Sequence, residues 1–312
     1  MTKLIKFLKD WTLPIAMLMG VLIYLTFAKL EFLSPLKPTV REIDSYLTPA
    51  LIFMQLLLTF CKVDPKQFRL CRWHIWLILI QLFGSVGAYF LLSPFNSIAA
   101  QGALVCLICP TATAAVVITS KLGGCAESII TYTMLVNLMA AIFVPLFFPM
   151  VYPQPEQSFW HSFLLILSKV FPLLICPFIV AQIMRFAFRK AHQWLKAHSS
   201  MAFYIWAIAL MMVMGKTAKS VVDDSGDMTL IFWLAFISLI VCCLQFLIGK
   251  TIGGRYHDRI SGGQALGQKN TVLAIWMSYT YLNPLTTVAP GAYVLWQNII
   301  NSYQLWKMRK RK

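Results

Sequence analysis

One lysine stands beside an apolar stretch near the C-terminal end of the sequence. Lys269 lies between the glycine-containing segment 261–268 and the apolar run 271–282. A charged side chain in mid-membrane costs at least about 2.5–3.5 kcal/mol on insertion scales, so such a residue usually has a function. A buried ammonium can take the place of a bound cation, or it can release and take up a proton when it is desolvated. We predict that Lys269 has one of these two roles; the structural alternative is a lysine that snorkels to the interface.

Two patterns predict interruptions in apolar helices. The first is Cys109-Pro110-Thr111-Ala112-Thr113, inside the apolar run 98–120. Pro110 has no backbone N–H and its ring clashes with the preceding turn, so one helix should end there. The second is Gly267, in the run 258–282, because glycine tolerates backbone conformations outside the helix. Thr111 or Thr113 can cap a new helix after the first break, and Asn270 and Thr271 can do so after the second. A kink in a continuous helix is the structural alternative.

The residues after the predicted breaks favour the binding of an anion. The first backbone N–H groups of a helix lack an internal partner and attract negative charge. Two half-helices that start near the middle of the membrane would direct such groups toward one site. We therefore predict a small organic anion as the substrate. Its predicted contacts are Thr111, Ala112, Thr113, Asn270, Thr271 and Lys169, the last of which is a second charged residue inside an apolar run.

The composition is that of a chain whose main solvent is the lipid bilayer. Apolar residues make up 59% of the 312 residues and charged residues only 12%, whereas soluble domains carry roughly 45–50% and about 25%. A soluble enzyme is therefore excluded. The formal net charge of +16 is explained by basic cytoplasmic loops, so we expect no nucleic acid partner. The eight cysteines show no metal-binding pattern, and we expect no metal and no cofactor.

Ten segments are apolar enough to cross a bilayer, and their loops differ in charge. Twenty of the 27 Lys and Arg residues fall on one side and five on the other, which predicts that both termini are cytoplasmic. We expect a multi-pass protein of a bacterial inner membrane. The basic start resembles a signal peptide, but the run after it is long enough to be retained as a span. The predicted spans are 11–28, 45–61, 73–93, 98–120, 126–152, 160–184, 200–220, 228–250, 258–282 and 286–306.

The positions of the two breaks predict an internal repeat. They fall in the fourth and the ninth span, which are the fourth spans of two consecutive sets of five. Two sets with an odd number of spans insert in opposite orientations, as in transporters built from inverted repeats. We predict an all-α membrane protein of two inverted five-helix repeats, residues 1–156 and 157–312, with broken, crossing helices 4 and 9.

The motifs at these breaks resemble those of the bile acid:sodium symporter family of secondary transporters. The first crossover of that family reads Cys-Pro, two small residues, Thr and Ala, as do residues 109–114 here. Its second crossover, Gly-x-x-Asn, is matched by residues 267–270, and the Pro-Gly-Ala, Trp and Asn of its last helix by residues 290–298. The resemblance covers essentially the whole chain. It implies a core domain of helices 3–5 and 8–10 and a panel domain of helices 1, 2, 6 and 7.

The resemblance implies sodium sites from which this sequence departs. In sodium-coupled members a Ser-Asn pair follows the first crossover, whereas Ala115-Val116 stand here. The ninth-helix motif of those members is Glu-x-Gly-x-Gln-Asn, and its Glu and Gln positions are Ala265 and Lys269 in this chain. On the fifth helix the nearest match retains Thr133, with Ile129 at a serine position.

Sodium prefers several oxygen ligands, so these departures argue against sodium coupling. The predicted coupling site comprises Lys269, Gln268, Thr133, Ala115, Val116 and Ala265. The Lys269 ammonium is expected to occupy the position of the missing cation. As a fixed charge it would support exchange or facilitated transport, and as a titrating group it would support proton coupling.

The resulting prediction is a secondary active transporter of a small organic anion that works by alternating access without sodium. A sodium-coupled symporter of bile acids or carboxylates is the first alternative. The second is a metalloid oxyanion permease, since related carriers have a cysteine at the fourth-helix crossover, where Cys109 stands here. A membrane enzyme lacks candidate catalytic motifs in this sequence, and a sensor lacks a soluble domain to report its state.

Overall fold

The computed structural model describes residues 11–223 and 227–310. Within these residues the chain forms thirteen α-helices and no strand beyond one isolated bridge. The prediction of an all-helical membrane protein is confirmed. The helices are α1 (Thr12–Lys29), α2 (Lys37–Phe60), α3 (Arg72–Leu92), α4 (Ser97–Ile108), α5 (Ala114–Leu122), α6 (Ala126–Val151), α7 (Phe159–Ala187), α8 (Arg189–Ala197), α9 (Met201–Asp223), α10 (Met228–Arg255), α11 (Arg259–Gly267), α12 (Thr271–Tyr281) and α13 (Val288–Arg309). The basic segment 1–9 lies outside the described residues.

Seven helices of the described chain are long and apolar enough to cross a membrane, namely α1, α2 with its preceding turn, α3, α6, α7, α9 and α10. They correspond to seven of the ten predicted spans. The second begins at Ser34 rather than at residue 45, because Pro38 lies in the first turn, where a helix needs no N–H from it. Predicted spans 4 and 9 are pairs of short helices, and span 10 is α13, which carries several polar residues.

The helices group into two compact units. One unit contains the described residues of Met1–Lys62 and Cys176–Gly226, which include α1, α2, α8 and α9. The other contains Val63–Ile175 and Asp227–Lys312, with α3–α6 and α10–α13, and the division falls inside α7. In the first unit α1 and α9 approach closely, since a Cβ on Gly20 would overlap the carbonyl oxygen of Met211.

In the second unit, small residues bring α11 against α10. Gly249 and Gly253 are four residues apart on α10, and both face Gly262 of α11. A Cβ on Gly262 would lie 2.5 Å from the Gly249 carbonyl oxygen and 2.8 Å from the Gly253 Cα. Small residues at this spacing are a common way for membrane helices to pack backbone against backbone. The close packing fixes the first half of the interrupted pair α11/α12.

Candidate functional site

The two interruptions, residues 109–113 and 268–270, meet and form hydrogen bonds with each other. We call this arrangement the crossing. The chain leaves helical geometry between Ile108 and Ala114, and again between Gly267 and Thr271. Thr111 and Lys269 form an antiparallel bridge. The Ala112 N–H donates to the Gln268 carbonyl at 2.9 Å, and the Asn270 N–H donates to the Pro110 carbonyl at the same distance. Extended backbone in an apolar interior thus has its polar groups satisfied by a second extended segment, as burial requires.

Side chains satisfy the carbonyls at the end of α4, which have no helical partner. The Cys106 carbonyl accepts from Gln245 Nε2 at 3.1 Å, and the Leu107 carbonyl accepts from the Lys269 ammonium at 3.0 Å. The carbonyls of Ile108 and Cys109 both accept from Gln81 Nε2 at 3.0 Å. The negative end of the α4 dipole therefore faces a cation that belongs to the chain itself.

Lys269 is among the most deeply buried residues of the second unit. The residue is only 1% exposed, and in the part of the chain that the structure describes it forms no ion pair with a carboxylate. Its backbone N–H donates to Gln297 Oε1 at 2.9 Å, which fixes the segment that carries it. Next to it, the Cys109 thiol donates a hydrogen bond to the Asn270 carbonyl, with 3.0 Å between the sulfur and the oxygen. A buried ammonium held by a helix end and not by a carboxylate is free to balance the charge of a bound anion.

Side chains also donate hydrogen bonds to the carbonyls at the end of α11. The Thr111 hydroxyl donates to the Ala265 carbonyl at 2.6 Å, and the Tyr293 hydroxyl donates to the Gly267 carbonyl at 2.8 Å. Gln245 Nε2 also donates to the Tyr293 hydroxyl at 3.0 Å. Gln245 therefore links the ends of both interrupted helices, α4 through Cys106 and α11 through Tyr293.

Four of the six positions that the resemblance assigns to sodium ligands lie in an apolar cluster. Ala115, Ile129 and Ala265 are fully buried and pack together, with Val116 against the same cluster. Thr133 is buried, but its hydroxyl donates to the Ile129 carbonyl of its own helix at 2.8 Å. The other buried members of the cluster are Trp73, Leu77, Tyr132, Val136, Met139 and Leu266. This region offers methyl groups and rings where a hard cation would need oxygen atoms.

The predicted substrate contacts differ in their accessibility. Ala112 and Thr113 are half-buried, whereas Thr111, Asn270 and Thr271 are at most 4% exposed. The Thr111 hydroxyl is used across the crossing and not as a helix cap, while the Asn270 side chain caps α12 through the Leu273 N–H at 3.2 Å. The interruptions thus bring together all of the predicted contacts except Lys169, which is exposed on α7.

Gln268 has a buried oxygen that the rest of the described chain leaves unsatisfied. The residue is 3% exposed, and its Oε1 accepts no hydrogen bond from a described residue. Its backbone carbonyl, in contrast, is used in the crossing. A buried acceptor beside the Lys269 segment is a group that a bound molecule can satisfy.

Sequence reasoning missed three residues of this arrangement, Gln245, Tyr293 and Gln297. Gln245 is an isolated amide in an apolar run, which is a signal for hydrogen bonding between membrane helices. Tyr293 and Gln297 lie on the last helix, where nothing in their spacing distinguishes them from interfacial or structural residues. Among the described residues, no group of three or more His, Cys, Asp or Glu side chains is arranged to hold a metal ion.

The model of the SBF-like CPA transporter family matches residues 3–299, which is nearly the whole chain. None of the curated proteins matches the chain significantly.

Proposed function

Because the chain belongs to the SBF-like CPA transporter family, which is related to the bile acid:sodium symporters, we propose that it carries a small organic anion without sodium. The chain is a multi-pass membrane transporter and not an enzyme. In the proposed mechanism the Lys269 ammonium provides the positive charge that a bound cation provides in sodium-coupled relatives.

A single contact supports the proposal most strongly, the 3.0 Å hydrogen bond from Lys269 Nζ to the Leu107 carbonyl. The ammonium carries the same charge as a sodium ion and lies at the negative end of a helix dipole. The half-buried backbone and side chains of Ala112 and Thr113 follow in the same crossing, before α5 begins. An anion bound at the start of α5 would be attracted both by this helix end and by the buried lysine.

The apolar cluster supports the absence of sodium coupling. Oxygen ligands are missing from Ala115, Ile129 and Ala265, and the space around them is filled by large side chains. A site of this kind cannot replace the hydration shell of a hard cation. We therefore assign the coupling, if the transport is active, to protons taken up and released by Lys269, and otherwise to exchange of anions against a fixed charge.

The architecture proposed here consists of two inverted repeats, residues 1–156 and 157–312, that work by alternating access. The two interrupted pairs, α4/α5 and α11/α12, fall in corresponding places of these halves, which supports the repeat. The division into two compact units supports a panel domain built on α1, α2 and α9 and a core domain with α3–α6 and α10–α13. Lys169 remains a candidate substrate contact on α7.

The proposal is tested by transport in proteoliposomes. Purified protein is reconstituted and supplied with labelled keto acids, hydroxy acids and bile salts, with sodium or potassium outside, and with or without a pH gradient. Wild type, Lys269→Gln and the control Lys121→Gln are compared; Lys121 is an exposed lysine at the end of α5. We expect sodium-independent uptake that is lost in Lys269→Gln and retained in Lys121→Gln.

The pH gradient separates the two roles of Lys269. Uptake that follows the gradient indicates a lysine that titrates during transport, and uptake that ignores it indicates a fixed charge. Uptake that requires sodium, or that persists in Lys269→Gln, would show that the proposal is wrong.

A further inference from the structure

The first compact unit contains a pocket that takes no part in the crossing of the interrupted helices. It lies between the end of α1, the first turns of α2 and the second half of α9, and it encloses about 730 Å³. Its walls are largely apolar and include Ile23, Phe27, Leu47 and Met211. This volume is within the range of pockets that bind small organic molecules.

The charged residues of the pocket are mostly basic. Its described lining includes the basic residues Lys37, Arg41, Lys216 and Lys219 and the acidic residues Asp44 and Asp223. Lys216 pairs with Asp44 at 3.0 Å, and Lys219 pairs with Asp223 on the next turn of α9. For Lys37 and Arg41 the described part of the chain provides no carboxylate partner. The pocket therefore has an excess of about two positive charges beside an apolar interior.

Hydrogen bonds and ion pairs hold the polar side chains around the pocket in place. The side chain of Lys216 is only 10% exposed, and its ammonium also donates to the Thr48 hydroxyl at 3.3 Å. The Thr48 hydroxyl in turn donates to Asp44 Oδ1 at 2.8 Å. The Tyr24 hydroxyl donates to Asp223 Oδ1 at 3.5 Å. Both carboxylates are thus held by groups of the protein, and they do not neutralise the two remaining cations.

The sequence pattern points to the same place. In the ten-span arrangement, the side with few basic residues carries five of them, Lys29, Lys37, Arg41, Lys216 and Lys219. Four of these five line this single pocket, although they come from two distant parts of the chain. Basic residues are depleted on that side of membrane proteins. Four of them around one pocket therefore favour an anionic ligand.

We propose that this pocket binds an amphiphilic anion, with one carboxylate or phosphate group near Lys37 and Arg41 and an apolar chain against the α1 and α9 walls. Two sources supply such a molecule, the head and chain of an anionic phospholipid or a free amphiphile. The inference does not rest on the proposed transport mechanism, because none of the pocket residues belongs to the crossing and binding is measured without transport.

The test is photo-crosslinking on the full chain in nanodiscs of the zwitterionic lipid phosphatidylcholine. The probe is dodecanoate with a photoreactive group on its chain, and the neutral comparison is dodecanol with the same group. Labelled peptides are identified by mass spectrometry. We expect dodecanoate to label segments 12–60 and 201–223 with saturation, and dodecanol to label them without saturation.

Variants test the role of the two cations. Lys37→Gln combined with Arg41→Gln should raise the half-saturating probe concentration at least tenfold. The control Lys29→Gln removes one exposed basic residue that does not line the pocket and should change it less than twofold. The pocket assignment is overturned if the double variant labels like wild type, if dodecanol labels the same peptides equally well, or if the label falls elsewhere.

Competition distinguishes the two sources. Loss of labelling when phosphatidylglycerol is added to the nanodiscs assigns the pocket to a lipid. Labelling that resists phosphatidylglycerol but is displaced by unlabelled dodecanoate assigns it to a free amphiphile. Both results support the proposal, and saturable labelling should be unchanged in Lys269→Gln.

Discussion

The carbonyls at the ends of the interrupted helices are occupied by hydrogen-bond donors from side chains. Amides of Gln81 and Gln245, the ammonium of Lys269 and the hydroxyl of Tyr293 each reach a carbonyl that a continuous helix would have used. An unmade hydrogen bond at such a buried carbonyl costs about 1–3 kcal/mol. The donors therefore stabilise a crossing that the backbone alone could not maintain.

Tyr293→Phe tests one of these donors. The substitution keeps the ring but removes the hydroxyl from the Gly267 carbonyl and from Gln245. We expect a loss of about 1–3 kcal/mol in stability, seen as a lower midpoint of thermal unfolding. The control Tyr303→Phe, on an exposed tyrosine, should change stability by less than about 0.5 kcal/mol. Equal behaviour of the two variants would contradict the assigned role of the hydroxyl.

Sodium should not stabilise the folded protein. A specific ion at 100 times its dissociation constant adds about 2.7 kcal/mol, and Ala115, Ile129 and Ala265 supply no side-chain oxygen to bind one. Unfolding midpoints measured at equal ionic strength in sodium chloride and in potassium chloride should coincide. A midpoint that is higher in sodium alone would indicate a site that we have missed.

Lys269 could be singled out from the sequence because a charge in an apolar environment is costly and therefore conspicuous. The sequence could not identify its partner, since a backbone carbonyl leaves no trace in residue type. Tyr293 and Gln297 also contact backbone groups at the crossing, so the sequence did not distinguish them from other residues of the last helix. Asn270 and Thr111 were both candidate helix caps; Asn270 caps α12, whereas the Thr111 hydroxyl donates to the Ala265 carbonyl instead.

At the scale of helices, close backbone contacts fix where the crossing lies. α11 is short and starts the interrupted pair, and its packing on α10 through Gly249, Gly253 and Gly262 holds the helix that precedes the second break. At the end of α11, Gly267 leaves no room for a larger residue, because a Cβ there would overlap the ring of Phe246. None of these four glycines has a positive φ, so glycine serves here to let side chains and helices approach closely.

Gly262→Ala should separate the two helices. The added methyl group would meet backbone atoms of α10, which cannot move aside as a flexible side chain can. We expect a loss of about 1–3 kcal/mol, as for other overpacked interiors. The control is Gly84→Ala in α3, where a Cβ meets nothing within 4 Å and helix propensity should give a small gain. Thermal unfolding of the two purified variants measures the difference.

The interruptions themselves were predictable at the scale of elements, and their pairing was not. Pro110 indicates the end of α4 from its missing N–H, and the glycine-rich segment 261–267 indicates the other break. The antiparallel bridge between Thr111 and Lys269 depends on how distant helices pack, which the local sequence does not indicate. The second helix shows a different error, since its span was predicted to begin at residue 45, whereas the chain is helical from Lys37, with Pro38 in the first turn.

At the scale of the whole molecule, the composition and the distribution of charge predict the class of protein and its orientation better than any single motif does. The scarcity of charged residues identified a membrane protein, and the uneven distribution of Lys and Arg predicted its orientation. The residues in the basic loops include Arg189 and Lys190 of α8, which is amphipathic and has no buried residue in the structure. Such a helix fits a membrane surface, and the predicted topology places it on the cytoplasmic side.

The orientation can be measured by labelling single cysteines. In a background without the native cysteines, Gln154→Cys lies in the exposed segment after α6, and Lys190→Cys lies on α8. A membrane-impermeant maleimide should label the first in intact cells and the second only after permeabilisation. The reverse pattern would invert the predicted topology.

The tethered charge at the crossing also has an electrical consequence. A bound sodium ion leaves with its cargo, whereas the Lys269 ammonium remains when the anion dissociates. A carrier that keeps this proton is neutral at the site when it is loaded with a monovalent anion, and positive when it is empty. Moving one elementary charge through 100 mV corresponds to about 2.3 kcal/mol. In the proposed mechanism the membrane voltage would therefore act on the return of the empty carrier and would set the side on which empty carriers accumulate.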